Sequence, residues 1–96
     1  MSMVVWKFVP EPSADNTSAT VEMPRGSRFL SAGPDPLGVY CLWALVDPEM
    51  PLTKRRVTLL ATGEVVDEAP GRHMATVVSQ DTGTVSHLFL EDEKRG

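Results

Sequence analysis

The sequence has few of the residues on which common protein chemistries depend. Its 96 residues include one cysteine and two histidines, and aromatic residues make up 6% of the chain. A single cysteine excludes an internal disulfide and a zinc site built from cysteines alone. The longest uncharged stretch lies between Asp35 and Asp47, far short of the roughly 20 residues that a membrane-spanning helix needs.

The charge balance and the first residues bear on partners and location. Thirteen acidic residues against nine basic ones give a net charge of −4, which argues against a surface built for nucleic acid or anionic lipid. The stretch 1–8 has no basic segment ahead of an apolar one, and Lys7 interrupts it, so it does not read as a signal peptide. The sequence therefore predicts a cytoplasmic protein that does not contact the membrane.

The composition predicts one folded unit. Hydrophobic residues are 42% of the chain and charged residues 23%, which is typical of a globular domain, and the length allows a single domain. We expect that domain to span residues 1–91, followed by a charged tail at 92–96 that frays.

Eight prolines and seven glycines divide the chain into short runs rich in β-branched and aromatic residues. Alternation of apolar and polar residues predicts strands near 3–9, 19–23, 28–32, 39–46, 54–63, 72–79 and 84–91, with a surface loop at 10–18. The stretch 54–63 also fits helical spacing, but its threonines and Gly63 favour a strand. The segment 64–70 has room for one helical turn, and the short connection at 80–83 indicates a hairpin.

The run 39–46 is the centre of the sequence. Both of its alternate residue sets are apolar, so a strand there is covered on both faces, either inside a closed or sandwiched sheet or by another chain. Together the runs predict an all-β fold, a small antiparallel barrel or sandwich of six to seven strands with at most one helical turn. A domain of this size is marginally stable alone, which favours a homodimer.

Several blocks resemble a known group of proteins. They are Trp6-Lys7-Phe8, the stretch 21–26, His87-Leu88-Phe89 and above all Leu42-Trp43-Ala44-Leu45-Val46-Asp47-Pro48. The chain resembles a family of small proteins, mostly from bacteriophages and actinobacteria, that is described as a domain of unknown function. This resemblance implies a phage or prophage accessory protein acting in the cytoplasm of its bacterial host. It supplies no catalytic residues.

Catalytic and metal chemistry have little support in the sequence. Cys41, His73 and His87 are zinc-ligand types, but they lie on three separate strands without a close ligand pair. The triplet 81–83 spells Asp-Thr-Gly, as in aspartic proteases, yet fits a hairpin turn better in this context. We therefore predict no catalytic residue, no cofactor and no metal, and no enzyme.

The function that these observations predict is a non-enzymatic protein-interaction module that binds itself or a bacterial host protein. The alternative is a small-ligand or metal-binding β-barrel, with weak enzymatic activity through His87. A third hypothesis, nucleic-acid binding through the basic cluster at 54–56, is the weakest because no aromatic platform adjoins it. The candidate interaction residues are Trp6, Tyr40, Leu42, Lys54, Arg55, Arg56 and His87.

Overall fold

The computed structural model describes residues 2–12, 18–78 and 83–93. These residues form strands connected by turns and loops, with no helix among them, so the stretch 64–70 does not hold the helical turn that the sequence allowed. The part of the chain that is described thus contains no helix that could span a membrane. The eight strands are β1 (Val4–Phe8), β2 (Glu11–Pro12), β3 (Ala19–Pro24), β4 (Arg28–Pro34), β5 (Tyr40–Val46), β6 (Leu52–Ala61), β7 (Arg72–Val78) and β8 (Val85–Leu90).

The strands form two antiparallel sheets that face each other as a sandwich and do not close into a barrel. The three-stranded sheet has the order β1-β5-β4, and the five-stranded sheet has the order β2-β3-β6-β8-β7. This confirms the all-β prediction and decides between its two architectures. The two-residue strand β2 lies inside the stretch that the sequence analysis read as a loop.

The core fills the space between the inner faces of the sheets. Strand alternation sends every second side chain inward, and the apolar residues occupy those positions. Val21 and Met23 of β3 are buried while Glu22 between them is exposed, as the sequence predicted. The buried apolar cluster consists of Val21, Met23, Leu42, Ala44, Val46, Val57, Leu88 and Leu90.

The central strand β5 has one buried face and one half-open face. Leu42, Ala44 and Val46 have no exposed surface and point into the core. On the opposite face Cys41 is buried, but Trp43 and Leu45 are only half-buried. A single chain therefore covers Leu42, Ala44 and Val46 on the inner face completely, leaves Tyr40 at the end of that face half-buried, and covers the outer face in part.

Two β-bulges change which residues share a face. The β4–β5 register shifts between Phe29 and Ser31, and the β7–β8 register shifts between His73 and Ala75. A bulge inserts one extra residue, so positions three apart come to lie on the same side of the sheet. His73 and Thr76 pair with Phe89 and His87, which are two residues apart and therefore share one face.

The strands β7 and β8 are antiparallel neighbours, with Val78 opposite Val85. This confirms the pairing that the hairpin prediction required. The connecting residues 79–82, including Asp81 and Thr82 of the Asp-Thr-Gly triplet, lie outside the described residues. Of the C-terminal tail, residues 94–96 also lie outside them.

Candidate interaction surface and apolar cavity

Strand β1 lies at the end of the three-stranded sheet. It pairs with β5 along one side, from Val4 opposite Val46 to Phe8 opposite Leu42. Among the described residues, no strand pairs with its other side. Alternate backbone N–H and C=O groups of an edge strand point away from its neighbour, so this edge can accept a further strand.

The side chains of β1 are unusually apolar for an edge. Val4, Val5 and Trp6 are 40%, 53% and 37% exposed, and Met3 and Val9 on either side of the strand are exposed as well. Natural edge strands are usually protected by charges, prolines or bulges. The register with β5 is unbroken throughout β1, which contains no proline and one charged residue, Lys7.

The outer face of the same sheet continues this apolar surface. Val5 lies opposite Leu45, and Lys7 lies opposite Trp43, on the face turned away from the core. The side chain of Trp43 is half-buried on this outer face. We use the name "β1 edge" below for the residues Val4–Phe8.

The one cation of β1 is held by a carboxylate. Lys7 Nζ lies 3.2 Å from Asp35 Oδ2, and the Asp35 side chain is only 5% exposed. Asp35 Oδ1 also accepts hydrogen bonds from the backbone N–H groups of Leu37 and Val39, both at 2.9 Å. Asp35 therefore fixes the β4–β5 connection and also holds the half-exposed Lys7 side chain towards β5, away from the open side of β1.

These contacts lower the pKa of Asp35. The hydrogen bond from Val39 contributes most, and Lys7 and Leu37 add to it against an opposing effect of burial. A carboxyl group whose pKa is lower in the folded protein stabilises the fold above its unfolded pKa and loses that contribution as pH falls through the folded value. Because the ordinary value is 3.8, the loss falls below about pH 4.

We therefore expect Asp35→Asn to destabilise the protein at pH 7 and to reduce the loss of stability between pH 4 and pH 2. Urea unfolding at a series of pH values measures both effects. The matched control is Glu68→Gln, which changes an exposed acid in the 64–70 loop. Parallel pH curves for Asp35→Asn and the wild-type protein would contradict this role for Asp35.

A chain of hydrogen bonds links both histidines on the outer face of the five-stranded sheet. Thr62 Oγ1 lies 2.8 Å from His87 Nε2, and Thr76 Oγ1 lies 3.0 Å from His87 Nδ1. Thr76 Oγ1 also lies 3.2 Å from His73 Nε2. The bulge in β7 makes this possible by placing His73 and Thr76 on one face.

The direction of this chain depends on the tautomers of the two histidines. Thr62 Oγ1 also lies 3.5 Å from the carbonyl oxygen of Val85, to which its hydroxyl can donate. Among the described residues, the side chains hydrogen-bonded to the His87 ring are two neutral threonines, whereas a catalytic imidazolium is stabilised by a charged partner.

The three candidate zinc ligands do not come together. His73 and His87 lie on the outer face of the five-stranded sheet, with ring centroids 6.1 Å apart. Cys41 lies buried on the other sheet, with its Sγ 3.5 Å from the carbonyl oxygen of Gly33. Burial raises the pKa of the Cys41 thiol, which disfavours the thiolate that metals bind. No group of three metal-ligating side chains occurs among the described residues.

The basic cluster is divided between two faces of β6. Lys54 and Arg56 are exposed, whereas Arg55 turns towards the core side. The Nε of Arg55 donates to the carbonyl oxygen of Glu91 at 2.8 Å, and its Nη1 lies 3.7 Å from Met23 Sδ. The structure thus leaves two of the three charges on the outer face and gives Arg55 a packing partner and a backbone partner.

The remaining interaction candidates, Leu42, Trp6 and Tyr40, also lie in different parts of the fold. Leu42 has no exposed surface, so in the folded chain it is a core residue and not a contact residue. Trp6 lies opposite Ala44, four residues from Tyr40 along β5, which is about 13 Å in a strand. Trp6 and Tyr40 therefore do not form one patch. Trp6 packs near Phe8, with ring centroids 6.3 Å apart.

Tyr40 instead lines a cavity at one end of the sandwich. The cavity has a volume of about 340 Å³, and its other lining residues include Pro10, Pro12, Val57 and Leu59. The Tyr40 hydroxyl oxygen is buried and, within the described residues, has no hydrogen-bond partner. Burial, with a smaller effect of Cys41, raises the pKa of Tyr40 to about 12, so the phenol is neutral at physiological pH.

Sequence analysis selected Trp6 and Tyr40 as individual candidates, but it did not identify the β1 edge or the cavity to which they belong. Strand alternation placed Tyr40 on the same face as Leu42, but the unfilled space beside it depends on how the two sheets meet. The edge position of β1 depends on its pairing with β5, which is about 40 residues away. The exposed run from Met3 to Val9 was the available signal for an apolar edge.

The fold and these surfaces define a class of protein, a small antiparallel β-sandwich with an open apolar edge and a cavity between its sheets. A family model described as a domain of unknown function (DUF7352) matches residues 1–96, so the chain belongs to that family. No curated protein and no solved structure matches the chain.

Proposed function

We propose that this protein is a non-enzymatic interaction module that binds a second copy of itself by pairing the β1 edges of the two chains. The supporting observation is an apolar edge strand, more than a third exposed at Val4, Val5 and Trp6, with a regular register and an unpaired outer side among the described residues. Pairing would join the two three-stranded sheets into one continuous six-stranded sheet.

A two-fold axis at Trp6 makes the β1 edge complementary to itself. In antiparallel pairing about this residue, Val4 lies opposite Phe8 of the second copy, and Val5 lies opposite Lys7 of the second copy. In this register the two residue numbers of each pair add up to twelve, so both are even or both are odd. Because alternate residues of a strand face opposite sides, inward-facing side chains therefore pair with inward-facing ones. Lys7 meets a valine and not another lysine, so the arrangement contains no pair of like charges directly opposite each other.

Two further observations favour association through this edge. Lys7 is drawn towards Asp35, which reduces the protection that an edge lysine gives against pairing with another sheet. The outer face next to the edge carries the half-buried Trp43 and Leu45, which extend the apolar surface of each copy alongside the joined strands. Closed two-fold dimers are also the commonest assemblies of soluble proteins.

The cellular setting that we propose is that of a phage or prophage accessory protein in the bacterial cytoplasm. Its support is the sequence resemblance carried by the block from Leu42 to Pro48. In the structure this block supplies the buried face of β5 and the turn that ends the strand, where Asp47 Oδ1 accepts from the N–H of Glu49 at 3.0 Å. Its role within the chain is therefore structural, while the exposed apolar residues of β1 carry the proposed binding.

Sedimentation velocity across protein concentrations tests this proposal. A five-residue strand pairing buries less than the roughly 1,200 Å² of standard interfaces, so we expect a weak dimer with a dissociation constant on the order of tens of micromolar. The mass should rise from that of one chain towards that of two between about 5 and about 500 µM. A single-chain mass over the whole range would overturn the proposal.

A further inference from the structure

The proposed pairing of the β1 edges brings two equal charges close to each other. In the register centred on Trp6, Lys7 of each copy lies opposite Val5 of the other, on the outer face of the joined sheet. The two lysines are therefore diagonal neighbours across the two-fold axis, and residues in that relation lie about 7–8 Å apart. Like charges at this distance repel each other, which opposes the pairing unless a counter-charge lies nearby.

Asp35 supplies that counter-charge within each chain. Its Oδ2 lies 3.2 Å from Lys7 Nζ, and the Lys7 side chain is 48% exposed. The strand order β1-β5-β4 places Asp35, which directly follows β4, on the far side of β5 from the open side of β1. The ion pair therefore neutralises the lysine charge and also holds its ammonium group away from the ammonium group of the second copy.

The carboxylate of Asp35 is fixed in place by the backbone around it. Its Oδ1 accepts hydrogen bonds from the N–H groups of Leu37 and Val39, and its own N–H donates to the carbonyl oxygen of Val39 at 2.8 Å. The carbonyl oxygen of Asp35 accepts from the N–H of Gly38 at 2.9 Å. Surface ion pairs usually gain little because two mobile side chains have to be ordered, but here only the lysine has to be.

We propose that Asp35 is the residue that permits two β1 edges to pair, because it neutralises and withdraws the Lys7 charge that would otherwise face Lys7 of the second copy. This inference rests on the proposed dimer and adds a residue that lies outside the paired strands. The exposed side chains of Val4, Val5 and Trp6 supply the apolar contact, and Asp35 removes the electrostatic opposition to it. Without Asp35, the affinity of the dimer should depend on salt.

Asp35→Asn removes the charge and keeps an oxygen that can accept from Leu37 and Val39. At about 0.1 M salt, where charges are screened over about 10 Å, we expect the dissociation constant of this variant to be roughly threefold to fivefold higher than that of the wild-type protein. At about 1 M salt the screening length falls to about 3 Å, and the two constants should agree within about twofold. Sedimentation velocity at both salt concentrations measures this change.

Lys7→Met separates this effect from a change in folding, because the substitution keeps an unbranched side chain and removes the charge that has to be neutralised. In the Lys7→Met background, Asp35→Asn should change the dissociation constant by less than about twofold at either salt concentration. A purely structural role of Asp35 would weaken the dimer equally with either residue at position 7. Glu68→Gln, which removes an exposed acid from the 64–70 loop, controls for net charge and should leave the constant within about twofold of wild type.

The outcomes separate this inference from the proposed function. A wild-type protein that keeps a single-chain mass from about 5 to about 500 µM would overturn both, since there would be no pairing for Asp35 to permit. Suppose instead that the wild-type protein forms the dimer. Equal dissociation constants for wild type and Asp35→Asn at about 0.1 M salt, or the same increase with and without the Lys7 charge, would then overturn the role of Asp35 alone.

Discussion

Leu42→Ala should lower the free energy of unfolding by about 3–4 kcal/mol. Leu42 has no exposed surface and lies at the centre of the inner face of β5, opposite Phe8 on one side and Ala32 on the other. Its truncation removes apolar contacts and leaves a cavity that the two surrounding strands cannot close. A domain of this size has a total stability near the lower end of the usual 5–15 kcal/mol, so the variant should be largely or partly unfolded at 37 °C.

Urea unfolding followed by tryptophan fluorescence at low protein concentration measures this loss. Low concentration keeps association from contributing to the measured stability. The matched control is Leu37→Ala, because Leu37 is 88% exposed and the same truncation there should change stability by no more than about 0.5 kcal/mol. A loss below about 1 kcal/mol for Leu42→Ala would show that the inner face of β5 is not the core of the fold.

We expect the second large effect at Val5, where a positive charge should weaken the dimer and a negative charge should strengthen it. In the proposed dimer, Val5 of each chain lies opposite Lys7 of the other, so a substitution at Val5 creates two new pairs. Val5→Lys places two lysine pairs across the interface, while Val5→Glu places two lysine–glutamate pairs there. At about 0.5 kcal/mol for each pair, the dissociation constants of the two variants should differ by roughly 30-fold.

Sedimentation velocity on both variants measures that ratio. The control pair is Val78→Lys and Val78→Glu, since Val78 is 62% exposed on β7, the edge strand of the other sheet. Those two variants should associate as the wild-type protein does. Equal dissociation constants for Val5→Lys and Val5→Glu would rule out the register centred on Trp6, whatever the oligomeric state.

Local patterns in the sequence were enough to predict most of the strands and their inward faces. The alternation around Val21 and Met23 reflects burial directly, because a strand turns successive side chains to opposite faces. The doubly apolar run at 39–46 reflects it in part, since Leu42, Ala44 and Val46 are buried but the opposite face is half-open. The strand prediction for 54–63 is confirmed by β6 against a competing helical spacing. The order of strands within each sheet could not be predicted, since pairings such as β1 with β5 join residues far apart in the sequence.

The surroundings of the candidate residues were harder to predict from the sequence than the strands were. The bulge beside Met74 lets His73 join the hydrogen-bonded chain to His87, and nothing in simple alternation signals an inserted residue. Arg55 looked like one of three surface charges, but its place on β6 turns it inward to a backbone carbonyl of Glu91. Tyr40 was selected for its residue type, while its cavity arises from the separation of two sheets.

Amide hydrogen exchange at two protein concentrations tests the pairing of the β1 edges most directly. In one isolated chain, the amides of Val4–Phe8 that point away from β5 have no partner among the described residues and should exchange quickly. At about 500 µM, pairing with a second copy should slow those amides by roughly fivefold relative to 5 µM, while the edge amides of β7 stay unchanged. Identical exchange rates in β1 at both concentrations would contradict the account.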